Sequence, residues 1–227
     1  MSIISTQDIS KIYNPESIPV TAIDGITLSF EKAEFTAIVG PSGCGKTTLL
    51  NLIGGLEIPT TGTVRVNDEV ISTKKRKELT EFRLHSIGFV FQAYNLIPVL
   101  SAYENIAFIM ELLNQPADFV RERTWELLKA MEIEDKAHQR PNQLSGGQQQ
   151  RVAVARALAP RPKFILADEP TANLDSHATG NLLDMMLRMN EKEGTTFIFS
   201  THDDRVMRRA KRLITLIDGK VESDEFK

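Results

Sequence analysis

The pattern of hydrophobic and polar positions changes character along the chain. In the first part, short apolar runs are bounded by turn residues, as in residues 18–21 and 34–39, and this pattern is typical of strands. From Ser101 the apolar positions recur every three or four residues, and Ser101 and Glu104 have the spacing of a helix capping box. Strand and helix patterns alternate from residue 163 onward. This alternation predicts a mostly parallel α/β sheet.

Turn signals predict antiparallel hairpins at the edge of this fold. Asn67-Asp68 and Asp218-Gly219 each interrupt an alternating or apolar segment with turn-forming residues. The helical stretch, residues 94–158, lies between strand-bearing stretches 1–93 and 159–227, without an internal repeat or a low-complexity linker. We therefore predict one domain over all 227 residues. It has an α/β core, an antiparallel β edge subdomain and an inserted α-helical subdomain.

Composition and charge narrow the possible functions. The 27 Lys+Arg and 30 Asp+Glu residues give a formal net charge of −3, so the chain lacks the basic footprint of a nucleic-acid-binding protein. One cysteine excludes an intrachain disulfide and favours a cytosolic location. The first residues do not resemble a signal peptide, and no apolar run reaches the roughly 18 to 20 residues that span a bilayer. If the protein works at a membrane, we expect another chain to do the spanning.

A glycine-rich segment carries the strongest local signal. Residues 40–47 match the phosphate-binding pattern G-x-x-x-x-G-K-[ST] and follow an apolar strand. Glycines let backbone N–H groups turn toward phosphate oxygens, and the following helix offers its positive N-terminal end. Lys46 is predicted to contact the β- and γ-phosphates of ATP, and the Thr47 hydroxyl to coordinate Mg²⁺. The predicted nucleotide contacts here are Gly40, Pro41, Ser42, Gly43, Cys44, Gly45, Lys46, Thr47 and Thr48.

Two adjacent acids follow a second apolar strand. Residues 164–167 are apolar, and Asp168 and Glu169 come directly after them. In open α/β sheets, ligands bind at the carboxyl ends of the strands. Asp168 is therefore predicted to hold Mg²⁺ through water, and Glu169 to act as the general base that polarises the attacking water. The alternative is that the two acids only form a solvated strand end. It is less favoured because the chain also contains a phosphate-binding loop.

The sequence Leu-Ser-Gly-Gly-Gln at residues 144–148 separates this chain from other phosphate-loop ATPases. Ser145 is a good N-cap, and the helix after it presents a further N-terminus to an anion. With this segment the chain resembles the ATP-binding subunits of ABC transporters, whose signature it matches letter for letter, and the resemblance implies an ABC-type fold. The residues implied to contact ATP here are Ser145, Gly146, Gly147 and Gln148.

The resemblance implies further roles, residue by residue. Tyr13 matches the aromatic that stacks on adenine, Gln92 the glutamine that senses Mg²⁺ and water, and His202 the histidine that contacts the γ-phosphate. Asp175 lies in the segment that crosses the dimer interface. An ordinary strand tyrosine and a simple helix cap are the alternatives for Tyr13 and Asp175. The residues implied in catalysis are Glu169, His202, Gln92 and Lys46, and those at the metal are Thr47, Gln92 and Asp168.

The resemblance also implies the assembly. Each ATP would lie between the phosphate-binding loop of one subunit and the signature of its partner, so a homodimer would have two competent sites. Residues 94–98, Tyr-Asn-Leu-Ile-Pro, resemble the corresponding segment in the branch of the family that serves lipoprotein release, macrolide export and cell division. We therefore expect an ATPase that drives an integral membrane permease from the inner face of the cell membrane and binds no nucleic acid. The rival class, an ABC ATPase acting on nucleic acid or ribosomes, predicts tandem cassettes or a basic surface.

Two further hypotheses concern reactivity and partner binding. Cys44 lies beside Lys46 and a helix N-terminus, which favour a reactive thiolate; the alternative is a shielded, inert thiol. Residues 94–100 are unusually apolar for a loop and suggest a groove for a helix of the membrane partner. The alternative is that these residues close the core of the helical insertion.

Overall fold

The computed structural model describes residues 2–67 and 69–227. They form two compact units, the first containing the chain up to Arg83 and from Thr196 onward, the second Leu84–Thr195. The strands are β1 Ser2–Tyr13, β2 Val20–Glu31, β3 Phe35–Val39, β4 Thr61–Val66, β5 Glu69–Val70, β6 Ile87–Val90, β7 Phe164–Asp168, β8 Thr196–Ser200, β9 Arg212–Ile217 and β10 Lys220–Phe226. The helices are α1 Lys46–Ile53, α2 Arg76–Ser86, α3 Ala102–Leu112, α4 Ala117–Ala130, α5 Gly146–Leu158, α6 Ser176–Glu193 and α7 Asp204–Arg209.

The first unit contains an antiparallel sheet with the order β2-β1-β4-β5. The sequence pattern did not predict β1, because Asp8 has a left-handed backbone (φ 47) and the register shifts beside it. This irregularity interrupts the two-residue alternation that marks a strand. The expected strand at residues 18–21 was wrong at its start: β2 begins at Val20, and Ile18 is 80% exposed. Of the predicted turn at Asn67-Asp68, Asp68 lies outside the described residues.

A second group of strands in the first unit supports the glycine-rich loop. The order is β10-β9-β3-β8, with β3 parallel to both β8 and β9. All five residues of β3 are buried, as expected for a parallel strand covered on both faces. The predicted hairpin at Asp218-Gly219 is confirmed, since both residues have positive φ (48 and 79) and β9 and β10 pair antiparallel.

The second unit combines one parallel strand pair with helices. β6 pairs with β7 in parallel register, and a Cβ at Gly88 would lie 2.6 Å from the Ala157 carbonyl oxygen, so this strand and α5 pack closely. The capping box predicted at Ser101 and Glu104 is present at the start of α3. Within the described residues, none of the helices combines the length and apolar character that crossing a lipid bilayer requires.

Candidate nucleotide-binding site

The glycine-rich loop connects β3 to α1 in the first unit. Gly40, Gly43 and Gly45 have φ values of 145, 81 and 105, a region that side-chain-bearing residues rarely adopt. A Cβ at Gly40 would collide with the Leu216 carbonyl oxygen, and one at Gly45 with the Ala22 carbonyl oxygen. Because the loop backbone passes against its neighbours without room for side chains, glycine is required at these two positions. The result is a tight backbone cradle of the kind that fits phosphate groups.

The Lys46 side chain lies along this loop. Its Nζ donates hydrogen bonds to the carbonyl oxygens of Gly40 (2.8 Å) and Pro41 (3.0 Å), and the residue is 9% exposed. The ammonium is therefore held at the loop by carbonyl groups, which a phosphate can replace as acceptors. Thr47 and Thr48 follow in the first turn of α1.

The Cys44 thiol is shielded. Its exposure is 3%, and the Lys46 Nζ lies 4.0 Å from Sγ. Reaction with a bulky reagent requires an accessible thiolate. The geometry therefore favours the inert thiol over the reactive one, and Cys44 contributes to the loop through its backbone.

Two other predicted residues of the first unit lie near this loop in the fold. Tyr13 ends β1, and its hydroxyl donates to Glu57 Oε2 (2.6 Å) and is also hydrogen-bonded to the Thr48 side chain. His202 follows β8, which pairs with β3 through Ile38 and Ser200. Since parallel strands end at the same edge of a sheet, His202 and the glycine-rich loop share that edge.

The acid pair lies in the second unit. Asp168 ends the buried strand β7, and Glu169 has a left-handed backbone, φ 46. For a residue with a side chain this conformation costs on the order of 1 kcal/mol or more, and such strain concentrates at functional positions. The Glu169 Oε2 atom is buried. The Thr47 hydroxyl in the first unit and the Asp168 carboxylate in the second are each oxygen donors of the kind that Mg²⁺ prefers. The described residues contain no cluster of three or more acids, histidines or cysteines that could hold a metal ion.

The loop after β6 is held by two other segments of the second unit. Gln92 is exposed, and its carbonyl oxygen accepts a hydrogen bond from Asn173 Nδ2 (3.0 Å). Arg156 of α5 donates to the carbonyl oxygens of Tyr94 (3.0 Å) and Asn95 (2.6 Å). Tyr94 and Asn95 both have positive φ, 56 and 50. These bonds fix a strained backbone directly after Gln92.

The signature segment begins α5 as predicted. Ser145 Oγ accepts from the Gln148 N–H (3.3 Å), and Gln148 Oε1 accepts from the Ser145 N–H (2.9 Å), which completes a capping box. Gly146 lies under the Tyr94 hydroxyl, where an added Cβ would be 2.9 Å from that oxygen. Ser145 is exposed. The side chain of Gln148 thus contributes to the cap of this helix N-terminus.

Asp175 caps another helix. Its Oδ1 accepts a hydrogen bond from the Ala178 N–H (2.8 Å) at the start of α6. This is the helix-cap alternative, and the contact is local to the second unit. The first unit therefore carries Tyr13, the glycine-rich loop and His202, and the second carries the other predicted residues, Gln92, Ser145, Gly146, Gly147, Gln148, Asp168, Glu169 and Asp175.

Comparison with known proteins identifies the family. The family model described as ABC transporter matches residues 23–172. The chain belongs to this family. It is 45% identical over 210 residues to "Lipoprotein-releasing system ATP-binding protein LolD 1" of Chlorobium chlorochromatii, covering 92% of this chain and 85% of that protein. It is 43% identical to the macrolide export ATP-binding/permease protein MacB of Brucella melitensis, covering 99% of this chain but 35% of that protein.

Solved structures agree with this assignment. The dimeric post-hydrolysis state of the ATP-binding cassette MJ0796, bound to ADP and Pi, has a TM-score of 0.91 and 41% sequence identity, covering 98% of both chains. The MJ0796 sequence itself, an uncharacterized ABC transporter ATP-binding protein of Methanocaldococcus jannaschii, is 43% identical to this chain over 226 residues. The predicted ABC-type fold, ATP hydrolysis and the use of ATP and Mg²⁺ are confirmed.

Two polar residues beside the predicted site of this ABC ATPase were not predicted from the sequence. Glu57 accepts a hydrogen bond from Tyr13, although 44 positions separate them. Arg156 holds the loop after Gln92 from 62 positions away. Neither residue has a local pattern that marks it. Arg156 lies in the helix that follows the signature, which is the only sequence signal that pointed to its neighbourhood.

Proposed function

We propose that this ABC ATPase acts as a homodimer that drives a separate integral membrane partner of the lipoprotein-release or macrolide-export kind. The observation that supports it most directly is the presence of two helix starts suited to phosphate, at α1 and at α5, in one chain. The MJ0796 cassette is dimeric in its structures, and the relatives include LolD and MacB proteins. One ATP held between the loop of one copy and the signature of the other would use both helix starts.

The residues of the first unit would hold the nucleotide. N–H groups of residues 40–47 and the Lys46 ammonium bind the β- and γ-phosphates, while Tyr13 stacks on the base. His202 contacts the γ-phosphate from the edge that it shares with the loop. Thr47 offers its hydroxyl to Mg²⁺, which when bound neutralises charge on the β- and γ-phosphate oxygens.

The residues of the second unit would perform the hydrolysis step. Asp168, through water, and Gln92 would hold Mg²⁺, and Glu169 would accept a proton from the attacking water. The water oxygen forms a bond to the γ-phosphorus, the bond from that phosphorus to the β–γ bridging oxygen breaks, and ADP and phosphate leave. Ser145, Gly146 and Gly147 bind the γ-phosphate of the partner copy's ATP, and Asp175 lies in the segment between the copies.

Closure of the homodimer around ATP must be transmitted to the membrane partner through an exposed surface. Residues 94–100 form such a surface. Val99 is 69% exposed, Leu96 and Leu100 are half-buried, and Asn105 of α3 is fully buried beneath them. The Asn105 side chain bonds to the backbone of Ile97 and Leu100 (2.8–3.1 Å). A rigid loop with apolar side chains on its outer face suits a partner helix. Through this contact the ATPase would lie on the inner face of the cell membrane.

Purification from native membranes tests the assignment. The tagged chain is expressed in its own host, membranes are solubilised in mild detergent, and bound proteins are identified by mass spectrometry. We expect an integral membrane permease in stoichiometric amount, and ATPase activity that changes when it is bound. Co-sedimentation with ribosomes or DNA, without a membrane protein, would support the rival class instead.

A further inference from the structure

The phenol of Tyr13 is anchored at both its hydroxyl and its ring. The hydroxyl donates to Glu57 Oε2 (2.6 Å), and the Lys11 ammonium lies over the ring, 5.2 Å from its centroid. Lys11 is bound in turn to Glu57 Oε2 (3.3 Å) and to the Ile58 carbonyl oxygen (2.9 Å). One face of the ring is thus covered by a cation, so a flat ligand that stacks on Tyr13 would use the opposite face.

Glu57 is itself fixed to the helix that follows the phosphate-binding loop. Its Oε1 accepts from Asn51 Nδ2 of α1 (3.2 Å), and its backbone N–H donates to the Asn51 carbonyl oxygen (3.2 Å). Thr48, in the first turn of α1, is hydrogen-bonded to the Tyr13 hydroxyl as well. Glu57 therefore joins the Tyr13 ring to the element that carries Lys46 and Thr47.

The ionisation states fit this arrangement. Burial raises the pKa of Glu57, but hydrogen bonds from Tyr13, Asn51 and Lys11 outweigh it and hold the pKa below its usual range. Burial, and then the bond to Glu57, raises the pKa of Tyr13. At neutral pH the phenol is a donor and the carboxylate an acceptor, and hydrogen bonds to a charged acceptor are the stronger kind.

We propose that Glu57 is a positioning residue for the nucleotide base: it holds the Tyr13 ring at a fixed place relative to the phosphate-binding loop. The proposal rests on the proposed role of Tyr13 in base stacking. Stacking is favourable over a limited range of ring positions, so a ring fixed before binding loses less rotational freedom when the base arrives. The effect should appear in affinity for the base and not in affinity for the phosphates.

The test compares MgATP with magnesium tripolyphosphate, which carries the phosphates without the base. Glu57→Ala and Tyr13→Phe are each expected to raise the Kd and KM for ATP about 3- to 10-fold, as for loss of one charge-assisted hydrogen bond. The kcat and the Kd for tripolyphosphate should change less than about twofold. The effect of the double variant should be less than the sum of the two single effects, because both single variants remove the Tyr13–Glu57 bond.

Controls separate positioning from general damage. Glu57→Gln keeps an acceptor oxygen and should recover part of the ATP affinity. Glu69→Gln, at another paired carboxylate of the first unit (2.6 Å from Lys74 Nζ), should have no effect. Tyr13→Phe removes one oxygen and keeps the ring, so it remains informative even if Glu57→Ala fails to fold.

Two results would overturn the proposal in distinguishable ways. Unchanged ATP affinity in Glu57→Ala, or equal weakening of ATP and tripolyphosphate, would show that Glu57 does not act through the base. Unchanged ATP affinity in Tyr13→Ala would show instead that the proposed base-stacking role of Tyr13 is wrong, and the role of Glu57 would fall with it.

Discussion

Among single residues, Glu169 combines a strained backbone with a buried carboxylate oxygen at the end of a core strand. We expect Glu169→Gln to lower ATP hydrolysis about 10²- to 10⁴-fold, the range for loss of a general base, and to keep MgATP binding. The bound but unhydrolysed ATP should trap a dimer, measured by size-exclusion chromatography with light scattering. Glu69→Gln is the matched control. If the Glu169→Gln variant stays monomeric and hydrolyses ATP at the wild-type rate, Glu169 is not the general base.

A second prediction for a single residue concerns Cys44, whose thiol is shielded within the phosphate-binding loop. With 3% exposure, its thiol should react with a bulky maleimide much more slowly in the folded protein than in denaturant, as followed by intact-protein mass spectrometry. Cys44→Ser should keep ATPase activity, since the residue serves the loop through its backbone. Rapid labelling of the folded protein with loss of activity would support the reactive thiol.

Among the secondary-structure elements, α4 and α6 are joined by Arg123. This residue is 2% exposed, bonds bidentately to Glu193 (2.6 and 2.8 Å) and donates to the Leu158 carbonyl oxygen (3.1 Å). Arg123→Ala leaves the half-buried Glu193 carboxylate and the buried Leu158 carbonyl oxygen without this donor, so we expect the free energy of unfolding to fall by about 3 kcal/mol in urea titrations. Arg121→Ala in the same helix breaks an exposed pair with Asp118 and should cost less than about 1 kcal/mol. Equal effects would contradict this account.

The same network predicts an acid dependence. Hydrogen bonds from Lys192 and then Arg123 hold the pKa of Glu126 below its ordinary value of 4.5. A lowered pKa in the folded state contributes stability above about pH 4.5, which is lost as the pH falls through the folded value. The free energy of unfolding of Glu126→Gln should therefore depend less on pH below 5 than that of the unchanged chain. Parallel acid-dependence curves for the two would show that Glu126 contributes nothing.

The loop between β6 and α3 carries the prediction on partner binding. Val99→Asp should abolish co-purification of the membrane partner and leave the melting temperature and basal hydrolysis nearly unchanged, because its side chain is exposed. Tyr94 is a poorer site, since it lies against Gly146 of the signature. Leu112→Asp, 54% exposed at the end of α3, is the matched control. Normal partner binding by Val99→Asp, or loss in both variants, would refute a docking site at this loop.

At the scale of the whole molecule, the proposed chemistry is divided between two compact units. Residues for the phosphates and the base lie in the first, and the acid pair, Gln92 and the signature lie in the second. Each unit carries one helix start suited to phosphate, α1 and α5. The net charge of −3 agrees with a partner other than nucleic acid.

The sequence by itself determined the features that depend on neighbouring residues. The glycine-rich loop, the capping boxes at Ser101 and Ser145 and the buried strand before Asp168 were predictable because propensity and spacing act over a few positions. Tertiary structure decided the bonds between distant segments, such as Tyr13 to Glu57. It also decided β1, whose alternation is broken at Asp8 and whose pairing comes from β2 and β4. Such contacts depend on which distant segments the fold brings side by side. Local periodicity contains no information about that pairing.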